Sequence, residues 1–134
     1  MSNTDAVKVG IIGSGFEADI HAHSMRMLHG EVEIAAVASP SPGHADEFAK
    51  RHEIPCAFRD YHDLLAIPEI EMVTIAAPNY VHAQITADAA RAGKHIVCEK
   101  PLCMTLEEAD AMIDICEREG VLLLYAEELM FTPK

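Results

Sequence analysis

Basic side chains are scarce in this chain. Its 134 residues carry 10 Lys and Arg against 22 Asp and Glu, a formal net charge of −12. A nucleic-acid surface needs a basic face, so that class is excluded, and the acidic excess reads as solvated helix surface. Long apolar runs are missing too: no stretch approaches the ~20 residues of a membrane-crossing helix. Cys56, Cys98, Cys103 and Cys116 form no Cys-x-x-Cys pair, which removes the commonest spacing for a metal or dithiol site. His21 and His23, two apart on a helix, face different directions and make a poor metal pair, so no metal is expected. The opening Met1-Ser2-Asn3-Thr4-Asp5 is polar and acid-containing, unlike an export signal. The expectation is therefore a cytoplasmic protein with reduced thiols. No internal repeat, low-complexity tract or linker interrupts the chain, and residues 1–134 read as one domain.

What is present is apolar and periodic. Half the residues are hydrophobic, enough to exclude general disorder. Short apolar runs are predicted as strands at Val7–Ile12, Val32–Ala38, Cys56–Phe58, Met72–Ala76, His95–Cys98 and Val121–Tyr125. Helical patterns separate them, over about Phe16–His29, Pro42–His52, a short piece capped by Asp60, Tyr80–Ala92, and a helix opened by the capping box Thr105-Leu106-Glu107-Glu108. That last helix is predicted to bury Leu106, Ala109, Ile113 and Cys116. Alternating apolar strands and amphipathic helices predict an α/β fold of the Rossmann type: a doubly wound parallel sheet of about six strands in three α/β/α layers.

In such a sheet ligands bind where strands end at their carboxyl side, so each strand end is read for chemistry. The first carries Gly13-Ser14-Gly15-Phe16-Glu17-Ala18, whose Gly-x-Gly-x-x-Ala spacing is a dinucleotide fingerprint. Gly13 allows a tight turn, Gly15 lets a diphosphate approach the backbone, and Ala18 permits close packing of helix on strand. The amides and dipole of the following helix would face the phosphates, with Glu17 expected to point away from them. The second end carries Ser39, where an Asp would favour NAD and a nearby Arg NADP; neither is close in sequence, and His44 is the nearest candidate cation. The fourth carries Ala77-Pro78-Asn79 with His82 following, Asn79 being readable also as a plain helix cap. The fifth carries Glu99-Lys100-Pro101, two opposite charges directly after a buried strand. Lys100 there could bond a ribose or polarise a substrate hydroxyl, or form a surface ion pair with Glu99. Cys98 and Cys103 flank this turn and read as small core hydrophobes.

Together these strand ends resemble the N-terminal domain of the Gfo/Idh/MocA oxidoreductases, relatives of glucose–fructose oxidoreductase and inositol dehydrogenase. The resemblance rests on Gly10-Ile11-Ile12-Gly13-Ser14-Gly15 with His21, on Ala77-Pro78-Asn79-Tyr80-Val81-His82, and on Ala92-Gly93-Lys94-His95-Ile96-Val97-Cys98-Glu99-Lys100-Pro101-Leu102. It implies an NAD- or NADP-binding domain of an enzyme that moves a hydride between nicotinamide and a sugar, cyclic polyol or similar hydroxylated substrate. It also implies that Lys100 is catalytic, close to nicotinamide and substrate. Gly13, Ser14, Gly15, Phe16, Glu17, Ser39, Ala77, Pro78, Asn79, His82, Glu99 and Lys100 would then serve the cofactor. Three departures stand out: Ser39 replaces a frequent Asp, Ala18 a usual Gly, and Met130-Phe131-Thr132-Pro133 keeps a Phe-x-Pro but lacks a preceding Arg, with Glu127 and Glu128 in the stretch that in the family reaches the nicotinamide pocket. The family continues into a second domain bearing substrate and oligomer contacts, so this chain is expected to be the cofactor domain of a homo-oligomeric enzyme, inactive alone. The alternative is a non-catalytic NAD(P)-sensing module of the same fold.

Overall fold

A computed structural model describes residues 6–127 and 133. Its core is one sheet of six parallel strands, β1 (Val7–Ile12), β2 (Val32–Ala38), β3 (Cys56–Phe58), β4 (Met72–Ile75), β5 (His95–Glu99) and β6 (Leu123–Ala126). They lie in the order β3-β2-β1-β4-β5-β6. Five helices connect them: α1 (Phe16–Arg26), α2 (His44–His52), α3 (Tyr61–Leu65), α4 (His82–Arg91) and α5 (Leu106–Glu119). The order runs outward in opposite directions from β1 and β4, which makes their junction the point where a crevice opens at the carboxyl rim.

Neighbouring residues of one strand feed different faces, as a period of two requires. Ile11 and Val37 pack with Ala18 and Ala22 of α1 and with Ala45, Phe48 and Ala49 of α2. Ile12, Ala36 and Ala38 pack on the other side with Leu64 of α3, Ile85 and Ala89 of α4, and Met112, Ile115 and Cys116 of α5. These two cores make the three layers. The central strands read as continuous apolar runs because both faces are covered. Each fully buried side chain such as Phe48, Ile11 or Ile75 contributes roughly 1.5–3 kcal/mol.

Most element boundaries fall within a residue of where the sequence places them; α1, α2, α4 and β6 depart further, β6 starting at Leu123 rather than Val121. Helix α1 stops at Arg26, because Met27 and Leu28 donate to Ser24 and Met25, three residues back, and tighten the last turn. Helix α2 begins at His44, after Gly43 in a left-handed conformation at φ +79°. Before α4 the chain makes one 3-10 turn over Asn79–Val81. In α5 the buried face is Met112, Ile115 and Cys116, while Leu106 is 82% and Ile113 45% exposed. Apolar residues occupy two stripes of that helix that share Cys116, and the stripe through Met112 is the one that meets the core. Ala92, expected as the last residue of its helix, is instead the exposed cap that follows Arg91. The two expected caps are present: Asp60 accepts from the His62 amide at 2.9 Å, and Thr105 Oγ1 from the Glu108 amide at 3.1 Å. Among the described residues no helix is long and apolar enough to cross a membrane. The Glu128 and Met130–Thr132 departures lie outside the described residues.

Candidate functional site

A cavity of about 1020 Å³ opens on the carboxyl rim of the sheet, over the junction of β1, β2 and β4. Gly13, Ser14, Gly15, Phe16 and Glu17 form one wall, Ser39 and Ser41 a second, and Ala77 and Pro78 a third. Two glycines build the first wall for different reasons. Gly13 has φ +118°, and a Cβ there would stand 2.3 Å from the Ala76 carbonyl oxygen, so backbone packing alone demands glycine. Gly15 has φ −88° and ψ −164°, a conformation open to any residue, and a Cβ built on it meets nothing within 4 Å. Neither strain nor packing explains Gly15. It faces open cavity, where the absence of a side chain leaves the backbone bare.

Helix α1 begins there without a side-chain cap. Its first-turn amides, which have no intrahelical acceptor, therefore remain available at the cavity wall. Ala18, fully buried, lets the helix start sit close against the sheet. Glu17, expected to point away, is among the residues lining the cavity. The hydroxyl of Ser14 donates to that of Ser39 at 2.8 Å and ties the glycine turn to the end of β2.

The remaining candidates lie at the ends of β4 and β5, outside the lining. Asn79 is not a helix cap: the cap positions are Pro78 and Val81, and neither uses a side chain. His82 is buried. Its Nε2 lies 2.7 Å from the Ala77 carbonyl oxygen and its Nδ1 3.0 Å from that of Pro101, so the ring bridges the turns after β4 and β5. Glu99 is buried with both carboxylate oxygens engaged. Oε1 accepts from His21 Nε2 at 2.6 Å, and Oε2 from the Lys100 amide at 3.1 Å. Glu99 thus fixes the backbone of the turn and forms no ion pair with Lys100, whose side chain is exposed. The Lys100–Pro101 bond is cis. Burial, reinforced by the Glu99 charge, pushes the Cys98 thiol up to about 12, so at neutral pH it is a protonated core residue rather than a nucleophile.

Sequence reading missed several wall residues, among them Arg59, Tyr61, Tyr80 and Gln84. Tyr61 donates its hydroxyl to Asp88 at 2.6 Å; burial and that carboxylate raise its pKa well above the usual phenol value. The available signal was the strand order: the residue following β3 must emerge at the same rim as the residue following β2.

A parallel sheet reversing at a glycine turn, with bare amides facing a rim cavity, defines a dinucleotide-binding domain. The chain belongs to the Gfo/Idh/MocA family, described as an oxidoreductase family with an NAD-binding Rossmann fold, whose family model matches residues 7–127. It is 36% identical to levoglucosan dehydrogenase from Pseudarthrobacter phenanthrenivorans, over 95% of this chain and 34% of that protein. It is 33% identical to an inositol 2-dehydrogenase/D-chiro-inositol 3-dehydrogenase from Lactiplantibacillus plantarum, over 90% of this chain and 35% of that protein. The solved structure of levoglucosan dehydrogenase in complex with NADH superposes with a TM-score of 0.83 at 35% identity, over 90% of this chain and 34% of that one. The chain spans about a third of the length of these relatives. The NADH bound in that solved structure agrees with the chemistry of the cavity here: a diphosphate fits a wall of free amides with no side chain at Gly15.

Proposed function

We propose that this chain is the cofactor domain of an NAD(P)-dependent dehydrogenase acting on a hydroxyl-bearing carbon of a sugar or cyclic polyol. Ser14, Gly15, Phe16 and Glu17 hold the diphosphate through backbone amides and the positive end of α1, while Gly13, whose own amide donates to the Ala38 carbonyl at 2.9 Å, shapes the turn that presents them. Ser39 holds the adenosine ribose. Ala77, Pro78 and Asn79 border the nicotinamide half, and the Glu99–Lys100 turn completes it. When bound, the nicotinamide supplies the hydride acceptor or donor.

The residues of the chain orient and polarise. Lys100 is the catalytic candidate: its ammonium donates a hydrogen bond to the substrate hydroxyl oxygen, where charge changes as the carbon–hydrogen bond breaks. Glu99 and His82 act from behind. The carboxylate of Glu99 holds the Lys100 amide, and His82 joins the adjoining carbonyls to the turn after β4. Proximity catalysis depends on such fixing, since misplacing a group by about 1 Å costs rate. Any further acid–base group, and the contacts that choose one substrate over another, belong to the rest of an enzyme of the relatives' length.

The observation that carries this reading is Gly15, side-chain-free where only a ligand requires it. The test is calorimetric titration of the chain and its Gly15→Val variant with NAD⁺ and NADP⁺. The variant should lose about tenfold or more in affinity, at least 1.4 kcal/mol, while its melting temperature stays within about 2 °C of the parent. Equal affinity in the two proteins would refute the assignment of the diphosphate to this turn.

A further inference from the structure

We propose that the cavity selects NADP over NAD, with Arg59 as the residue that recognises the 2′-phosphate; this rests on the cofactor reading above. Strand pairing places Arg59. Ala38 is in register with Phe58, and the Ser39 amide donates to the Phe58 carbonyl at 3.0 Å. The next residue, Arg59, therefore emerges beside Ser39 and Pro40 at the cavity wall. Its guanidinium reaches back to donate to the Pro40 carbonyl at 3.4 Å. A guanidinium has five N–H donors in a planar fork, so most of the fork stays available.

The charge of Arg59 is uncompensated: among the described residues it enters no ion pair with a carboxylate. Two carboxylates share the cavity wall. Asp60 is turned to its own helix, accepting from the amide of His62 at 2.9 Å and from its ring at 2.7 Å. Glu17 stands on the glycine side, in the first turn of α1.

The position that carries a carboxylate in NAD-selective sites is Ser39, which is only 5% exposed. A pair of hydroxyls carries two O–H groups and uses one between them, so the Ser14–Ser39 pair keeps a donor for a third oxygen. A ribose 2′-hydroxyl needs an acceptor for its hydrogen, whereas a phosphate monoester presents only acceptors and nearly two negative charges. A spare hydroxyl donor and an unpaired guanidinium match the phosphate. On a chain of net charge −12, a local cation is what lets such a dianion approach.

Isothermal titration of the chain with NADP⁺, NAD⁺, 2′,5′-ADP and 5′-AMP tests this without any turnover. The expected result is about tenfold or greater preference for NADP⁺ over NAD⁺, repeated for 2′,5′-ADP over 5′-AMP. Arg59→Ala should remove most of that ratio, and Ser39→Asp should reverse it. Equal or tighter binding of NAD⁺, or an Arg59→Ala variant that keeps the ratio, overturns the inference and leaves the cofactor reading standing. Binding of neither dinucleotide overturns both.

Discussion

Gly13 and Gly15 are two residues apart and fail differently when substituted. Gly13→Ala places a Cβ against the Ala76 carbonyl in a backbone conformation that L-residues avoid. It should destabilise the fold by about 3 kcal/mol or more in a denaturant titration. Gly15→Ala should leave stability nearly unchanged and weaken dinucleotide binding. Both glycines were legible as a motif, but their separate reasons were not, because one depends on the distant Ala76. Lys100 and Glu99 were legible as a charged turn. That Glu99 would turn inward to His21 was not, since the two are 78 residues apart. Lys100→Met, placed in an enzyme of full relatives' length, should lower kcat by about two orders of magnitude or more while dinucleotide affinity holds; steady-state kinetics beside a binding titration would separate the two. Cys98 carries a simpler prediction. With its pKa near 12, it should resist a thiol reagent at about pH 8 in the folded protein and react only after unfolding.

Among the helices, polar ties join neighbours across each face of the sheet. Asp19 of α1 accepts from Arg51 and from His52 of α2 at 2.9 and 2.6 Å. Tyr61 of α3 donates to Asp88 of α4. Burial alone would raise the Asp88 carboxyl; Tyr61, Gln84, His62 and Arg91 outweigh it and hold the pKa below the usual 3.8. A folded-state pKa below the unfolded value adds stability above about pH 4 and loses it as pH falls through the folded value. Asp88→Asn should therefore cost about 1–2 kcal/mol near neutrality, and the gap should narrow as pH falls below about 4. Thermal melts across that range would show it. Element type was readable throughout, because apolar period and cap residues are local. The buried face of α5 was misread because two apolar stripes coexist on it, and only the packing of Met112 and Ile115 decides between them.

For the whole molecule, function follows from strand order. The reversal between β1 and β4 opens the crevice, and pairing of β2 with β3 brings Arg59 to the wall. Fold class was legible from alternating strands and helices. Which residues separated in sequence meet at the rim was not, since parallel register is set by non-local pairing. Whether this rim cavity grips a dinucleotide can be read residue by residue from ¹H–¹⁵N chemical-shift mapping of the isotopically labelled chain during titration with NADP⁺ and NAD⁺. The largest shifts are expected at the amides of Gly13–Glu17, Ser39, Ser41 and Ala77. Shifts confined to the outer face of α5 or the β6 edge would contradict that grip, as would an unchanged spectrum.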